Sequence, residues 1–164
     1  MLSLLLVISA VLEPCAEHPA SVVVDAGTRK LHLCSEDGTL ERTYAVSLGR
    51  GGLDKHREGD AKTPLGSYPL GRPRPSGAGF DTFIPIAYPT PEQRAEGRTG
   101  GAIGIHGPPA SLHEVLTVTA VSLGNWTLGC IAVARVAEIR AIAKWVTEHE
   151  IDRVHLLGSA KAPG

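Results

Sequence analysis

The chain has 164 residues, enough for one domain with a single core. Hydrophobic residues make up 43% and charged residues 20%, an ordinary globular balance that excludes wholesale disorder. Lys and Arg number 16 against 17 Asp and Glu, a net charge of −1, so no basic excess exists to capture nucleic acid through its phosphates. The 19 glycines and 12 prolines stand beside only 4% aromatic residues, and 22 of these turn formers fall between Gly49 and Pro109. A turn-rich middle with few large rings argues against a helical bundle and for β structure carrying elaborate loops.

Met1 to Leu12 are apolar apart from Ser3 and Ser9. That stretch is too short to span a bilayer and has the length of a secretory h-region. No Lys or Arg precedes Arg29, so the positive flank of such a leader is missing. Residues 1–19 read as a leader directing export to the periplasm or cell envelope, with an apolar first strand or a mis-assigned start as alternatives. Residues 20–158 read as one domain and 159–164 as a tail.

Ser21–Asp25 is β-branched, and Lys30–Cys34 alternates well enough to be its hairpin partner across Asp25-Ala26-Gly27-Thr28. Asp37-Gly38 turns the chain into a third strand over Thr39–Leu48, where Leu40, Arg42, Tyr44 and Val46 share a face. Gly49-Arg50-Gly51-Gly52 lacks the Lys-Ser/Thr of a phosphate loop and reads as a flexible connection. Strands are predicted at Gly66–Leu70 and Phe83–Ala87, where Pro85 demands an edge or a bulge. Pro91–Glu96 makes a helical turn, and Ala102–His106 is a short apolar strand. Val115–Ser122 is strand-like. Over Arg135–Glu148 apolar residues recur at Val136, Ile139, Ile142, Ala143 and Val146, the spacing of one buried helical stripe. Arg153–Leu157 is a last strand. The sum is a mainly-β domain with one principal amphipathic helix near its C-terminal end.

The three cysteines, Cys15, Cys34 and Cys130, are odd in number and widely spaced, so no disulfide framework is expected and Cys34 reads as a small buried hydrophobe. No CxxC occurs, and His113-Glu114 lacks a second His at metal-ligand spacing, so no metal or other cofactor is expected.

Asn125-Trp126-Thr127-Leu128-Gly129-Cys130-Ile131-Ala132 carries the chemistry. A cysteine after glycine, in a loop before an amphipathic helix, is placed to act as a nucleophile. Glycine permits φ > 0, so backbone N–H groups can converge into an oxyanion hole, worth roughly 3 kcal/mol per donor in acyl transfer. A free thiol is mostly protonated at neutral pH and needs a base. His106, ending a strand before Gly107, is the candidate. On residue chemistry alone, a buried filler at Cys130 and a structural histidine at 106 stand level with this pair.

His106-Gly107 followed by Thr127-x-Gly129-Cys130-Ile131 resembles the signature of the L,D-transpeptidase catalytic domain (YkuD-like) family. Gly59-Asp60-x-Lys62-Thr63-Pro64-x-Gly66-x-Tyr68 is similar to its upstream Thr-Pro-x-Gly motif, and the Val24-Asp25 strand with Leu31 is similar to its opening. The resemblance implies a β-sandwich-like fold and action on the stem peptides of bacterial peptidoglycan, with a tetrapeptide as donor and an amine as acceptor. It assigns Cys130 as nucleophile, His106 as base, and the backbone at Leu128, Gly129 and Cys130 as the oxyanion site. Gly107, Tyr88, Trp126 and Thr127 are expected near bound substrate. The chain departs from the family's usual pattern with Leu128 where His is common and Ala132 where Arg or Asn is common. The missing Arg removes a clamp for a stem carboxylate, for which Arg50, Arg98 or Arg135 are candidate replacements. Two alternatives share the fold: a hydrolase (amidase, carboxypeptidase or endopeptidase) that passes the acyl group to water, and a non-catalytic wall-binding module.

Overall fold

The computed structural model describes residues 13–112 and 124–158. The chain opens with three antiparallel strands, β1 (Ser21–Asp25), β2 (Lys30–Cys34) and β3 (Leu40–Ser47), in the order expected from their alternation. Asp25 makes the first turn, its Oδ1 accepting from the N–H of Gly27 and its Oδ2 from the Thr28 hydroxyl. Four further strands follow: β4 (Gly66–Pro69), β5 (Arg74–Pro75), β6 (Thr82–Pro85) and β7 (Gly104–His106), with the short helix α1 (Pro91–Ala95) before β7. Then come β8 (Ile131–Val133), the long helix α2 (Val136–Glu148) and β9 (Arg153–Leu157).

Among the described residues the nine strands form one curled sheet in the order β4-β9-β1-β2-β3-β8-β7-β6-β5. The strand β3 is the hinge of the curl, pairing with β2 through its first part and with β8 through Val46 and Ser47. The far ends meet: Leu70 pairs with Ile86, and the Gly71 N–H donates to the Pro85 carbonyl at 2.8 Å. The domain is mainly β, as expected. Pro85 is not on an edge strand. It lies beyond the reach of β5, so no ladder bond on that side calls for the N–H that proline lacks.

The concave face buries Val22, Val24, Leu31, Leu33, Ile84, Ile105, Ile131 and Leu156, and α2 closes it with Ile139, Ile142, Trp145 and Val146. Each such side chain taken from water contributes about 1.5–3 kcal/mol. The expected helical stripe is therefore correct in phase, while Val136 and Ala143 are only half-buried. The Glu138 carboxylate accepts the N–H groups of Ala134 and Arg135, which satisfies two orphan donors and sets the start of α2. No helix among the described residues is long and apolar enough to cross a membrane.

Three expectations need correction or bounding. The Gly49–Gly52 loop is not a loose connection: a Cβ at Gly49 would stand 2.3 Å from the Ala61 carbonyl oxygen, and one at Gly51 2.1 Å from that of Asp60. These glycines permit backbone-on-backbone packing against the Asp60–Thr63 segment. Cys34 is not a lone filler, because it is disulfide-bonded to Cys15 across a separation of 19 residues. That bond holds the 13–19 segment against β2, where Cys15, Cys34 and Val23 make a second small apolar cluster. The strand expected at Val115–Ser122 lies outside the described residues, as do 1–12 and 159–164.

Closing a loop of this size restricts the unfolded chain, so removing the bond with Cys34→Ser is expected to destabilise the domain by about 3 kcal/mol. Urea denaturation of the oxidised wild type and the variant measures it, and equal midpoints would contradict the structural role.

Candidate active site

The candidate site sits where β7 and β8 run parallel, Ile105 beside Ile131 and His106 beside Ala132. Cys130 immediately precedes β8, and His106 ends β7. Both line a cleft of about 620 Å³ together with Lys55, Phe80, Ala102, Ile103, Trp126, Thr127 and Leu128. A second lobe of about 280 Å³, lined by Arg74, Ser76, Ala78, Phe80 and Phe83, reaches the same two residues. The pair proposed from the sequence is brought together at the junction of two lobes.

The 125–130 turn is pinned by its threonine. The Thr127 N–H donates to the Leu48 carbonyl and the Thr127 carbonyl accepts from the Arg50 N–H, so the turn is stitched to the end of β3. Its buried hydroxyl donates to the Cys130 carbonyl at 2.7 Å and accepts the Gly129 N–H at 3.1 Å. That acceptance engages the Gly129 N–H within the turn. Asn125 adds a further tie, its Oδ1 accepting the Leu48 N–H. Gly129 has φ of +134°, and a Cβ there would lie 2.6 Å from the Lys62 carbonyl oxygen. Only glycine fits this position. The Thr63-Pro64 motif braces the same region, since the Thr63 hydroxyl accepts the Gly49 N–H at 2.8 Å.

Cys130 is the free thiol, the other two cysteines being bonded to each other. It donates at 3.4 Å to the carbonyl of Ala102, a residue held at φ of +53°. Burial pushes the Cys130 thiol above its ordinary range, while a backbone hydrogen bond at Gly104 and the Lys55 charge pull the other way.

His106 is 3% exposed. Its ring stacks on Phe80, with centroids 4.1 Å apart, and meets the edge of Trp126 at 5.9 Å. Nδ1 lies 2.7 Å from the Gly107 carbonyl oxygen. A carbonyl only accepts, so Nδ1 carries the proton and Nε2 keeps its lone pair. Burial pushes the His106 pKa below its ordinary value, outweighing the opposing hydrogen bond to Gly107. Burial therefore favours the neutral form of both ring and thiol.

The remaining expected residues fall in two groups. Trp126, Thr127 and Leu128 line the cleft, with Leu128 the large apolar side chain exposed at its rim, at 67%. The Trp126 Nε1–H is buried without an acceptor among the described residues. Tyr88 and Gly107 stand behind the cleft. Tyr88 is buried, its hydroxyl donating to the Lys55 carbonyl at 2.9 Å. A Cβ at Gly107 would lie 2.9 Å from Ile139 Cγ2, so this glycine lets α2 pack close while its carbonyl orients His106.

Two residues of the site escaped sequence reasoning. Phe80 lies in a Gly/Pro loop with no periodicity to mark it. Lys55 lies in a run of charged residues with no pattern to single it out, yet it is buried, its ammonium 2.6 Å from Asp60 Oδ1 and 3.0 Å from the Arg57 carbonyl. The available signal was Asp60 in the Gly-Asp-x-Lys-Thr-Pro motif. Its carboxylate is disfavoured by burial, yet the Arg57 N–H, the Lys55 ammonium and the N–H groups of His56 and Lys62 hold it well below the usual carboxylate range. None of Arg50, Arg98 and Arg135 lines either lobe.

Comparison with known proteins places this geometry. The profile of the L,D-transpeptidase catalytic domain, YkuD, matches residues 19–156. Among curated protein sequences none matches the chain. Of solved structures, the helical cell shape determining protein Pgp2 from Campylobacter jejuni is similar at 26% identity with a TM-score of 0.70, over 87% of this chain and 49% of that one. Bd1075 from Bdellovibrio bacteriovorus shares the fold at 20% identity and a TM-score of 0.60, over 88% of this chain and 49% of that one. L,D-transpeptidase 3 from Mycobacterium tuberculosis, in complex with a faropenem-derived adduct, shares it at 18% identity and 0.50, over 83% and 59%. The chain spans about half the length of the first two.

Gly129→Ala is expected to cost about 1–3 kcal/mol in strained backbone and to displace the thiol. Urea denaturation measures the first effect and the alkylation rate of Cys130 the second, and wild-type values for both would refute the tight turn. In an NMR titration the His106 ring is expected to protonate below the ordinary value of about 6.5. Phe80→Ala admits water to the ring and is expected to move that midpoint upward; a midpoint that stays put or falls would contradict the burial account.

Proposed function

Because the chain belongs to the L,D-transpeptidase catalytic domain family, we propose that it transfers acyl groups of peptidoglycan stem peptides through a thioester on Cys130. The observation that carries this reading is the convergence of the free thiol and the oriented, lone-pair-bearing His106 on one cleft. His106 Nε2 takes the thiol proton as Sγ attacks the carbonyl of the diaminoacyl residue. The oxyanion of the tetrahedral intermediate is received by backbone N–H groups of the turn, those of Leu128 and Cys130, since the Gly129 N–H serves Thr127. Collapse breaks the peptide bond, and His106 returns the proton to the departing D-Ala amine. An incoming side-chain amine then attacks the thioester, His106 takes its proton, and the new amide leaves with the thiol restored.

Two neutral partners fit this sequence. A thiol that must lose its proton during attack needs a base that is free at neutral pH, and burial keeps His106 in that form. Cys130 does not wait as a thiolate, so reactivity toward adventitious electrophiles is low until substrate arrives.

Action on the wall calls for a chain exported from the cytoplasm. The Cys15–Cys34 bond supports export, because such bonds persist in oxidising compartments. The likeness to Pgp2, named for determining helical cell shape, agrees with a role in wall remodelling.

Incubation with a stem tetrapeptide is expected to give a covalent adduct by intact mass, absent in Cys130→Ala, and a crosslinked product when an amine acceptor is added. Free tripeptide as the sole product, with acceptor present, would make the enzyme a hydrolase. No adduct and no turnover under any condition would leave a wall-binding module. His106→Ala is expected to slow alkylation of Cys130 several-fold at neutral pH, and an unchanged rate would remove His106 as the base.

A further inference from the structure

The cleft contains a buried cation that the acyl-transfer chemistry above leaves unused. The Lys55 side chain is 4% exposed. An ammonium has three N–H donors, and burying one is costly unless its donors are satisfied. Asp60 Oδ1 takes one at 2.6 Å and the Arg57 carbonyl another at 3.0 Å. No acceptor among the described residues takes the third. The side chain nonetheless lines the lobe that holds Cys130 and His106.

The lysine is also held in place. Its carbonyl accepts from the Tyr88 hydroxyl and from Arg98 Nη1, each at 2.9 Å. Its stem passes Gly100, where a Cβ would come within 3.2 Å of Lys55 Cε. A rigid cation with an unspent donor is prepared for an anion, since little ordering remains to be done on binding. Rival charges on the cleft are weaker: Glu58 is exposed and of the wrong sign, and Arg74 is exposed, lies in the other lobe and rests on the Phe83 ring at 5.1 Å. Low dielectric around Lys55 makes its charge count for more than an exposed one.

We propose that Lys55 binds the terminal carboxylate of the stem peptide, on the residue that departs, and so replaces the clamp that the chain lacks at Ala132. This rests on the acyl-transfer reading and deepens it. The lobe lined by Lys55 then receives the leaving residue, and recognition of its carboxylate selects chain ends over internal peptide bonds. Asp60 keeps Lys55 in place without cancelling its role, because its carboxylate is also bound by the N–H groups of His56, Arg57 and Lys62.

The test compares kcat/KM for a stem tetrapeptide ending in a free carboxylate with that for the same peptide ending in a carboxamide. Wild type is expected to prefer the acid by about 10- to 100-fold, the worth of one charge-assisted hydrogen bond. In Lys55→Gln and Lys55→Met the preference is expected to fall to near unity. Circular dichroism and the alkylation rate of Cys130 report folding, and the three remaining donors on Asp60 favour it. An equal loss on both substrates, with the preference kept, would make Lys55 a structural strut and overturn the proposal. So would a wild type that turns over acid and amide equally, a result that decides the matter even if neither variant folds. Turnover of neither substrate by wild type would instead sink the acyl-transfer reading itself.

Discussion

Two three-residue strands, β7 and β8, lie parallel with Ile105 beside Ile131, and the approach of His106 to Cys130 depends on that register. A slip of one residue would turn His106 to the other face of the sheet. The register is held from both sides. Pairing of Val46 and Ser47 with Val133 and Ala132 fixes β8 against β3, and pairing of Phe83, Ile84 and Pro85 fixes β7 against β6. The Thr127 hydroxyl then sets how the chain enters β8, and with it the position of the thiol.

The same packing decides the electrostatics. Phe80 and Trp126 take water away from the His106 ring, which lowers its affinity for a proton. Cys130 loses water too, and its thiol holds its proton more tightly. An ion pair between the two would be penalised twice by burial. The Gly107 carbonyl settles which ring nitrogen keeps its lone pair. A hydrogen bond between neighbouring residues thus orients the ring without a third side chain.

The glycines of the middle segment gain a physical reason. Gly49 and Gly51 let two backbone segments lie against each other, Gly100 leaves room for the Lys55 stem, and Gly129 takes a conformation and a space closed to other residues. Backbone brought this close carries the cleft wall with little side-chain bulk. The low aromatic content fits the same picture, since two of the seven rings, Phe80 and Trp126, are spent on one histidine.

Alternation and turn chemistry made β1, β2, β3 and β9 legible with nearly their observed bounds, and the 3.6-residue stripe located α2. The two-residue β5 and three-residue β8 are too short to carry a period, and only their neighbours make them strands. The residue types Gly-Cys and His-Gly, in family order, marked the candidate pair, because local glycine chemistry and a thiol's need for a base are properties of sequence. What folding alone decided is contact between distant segments. Cys15 meets Cys34 because the 13–19 segment folds back on β2, Phe80 meets His106 because the sheet curls, and Lys55 turns inward because Asp60 gathers four donors around one carboxylate. A charged run read along the chain is a surface; the same lysine, with its solvent removed and its partner supplied, is the cation of the cleft.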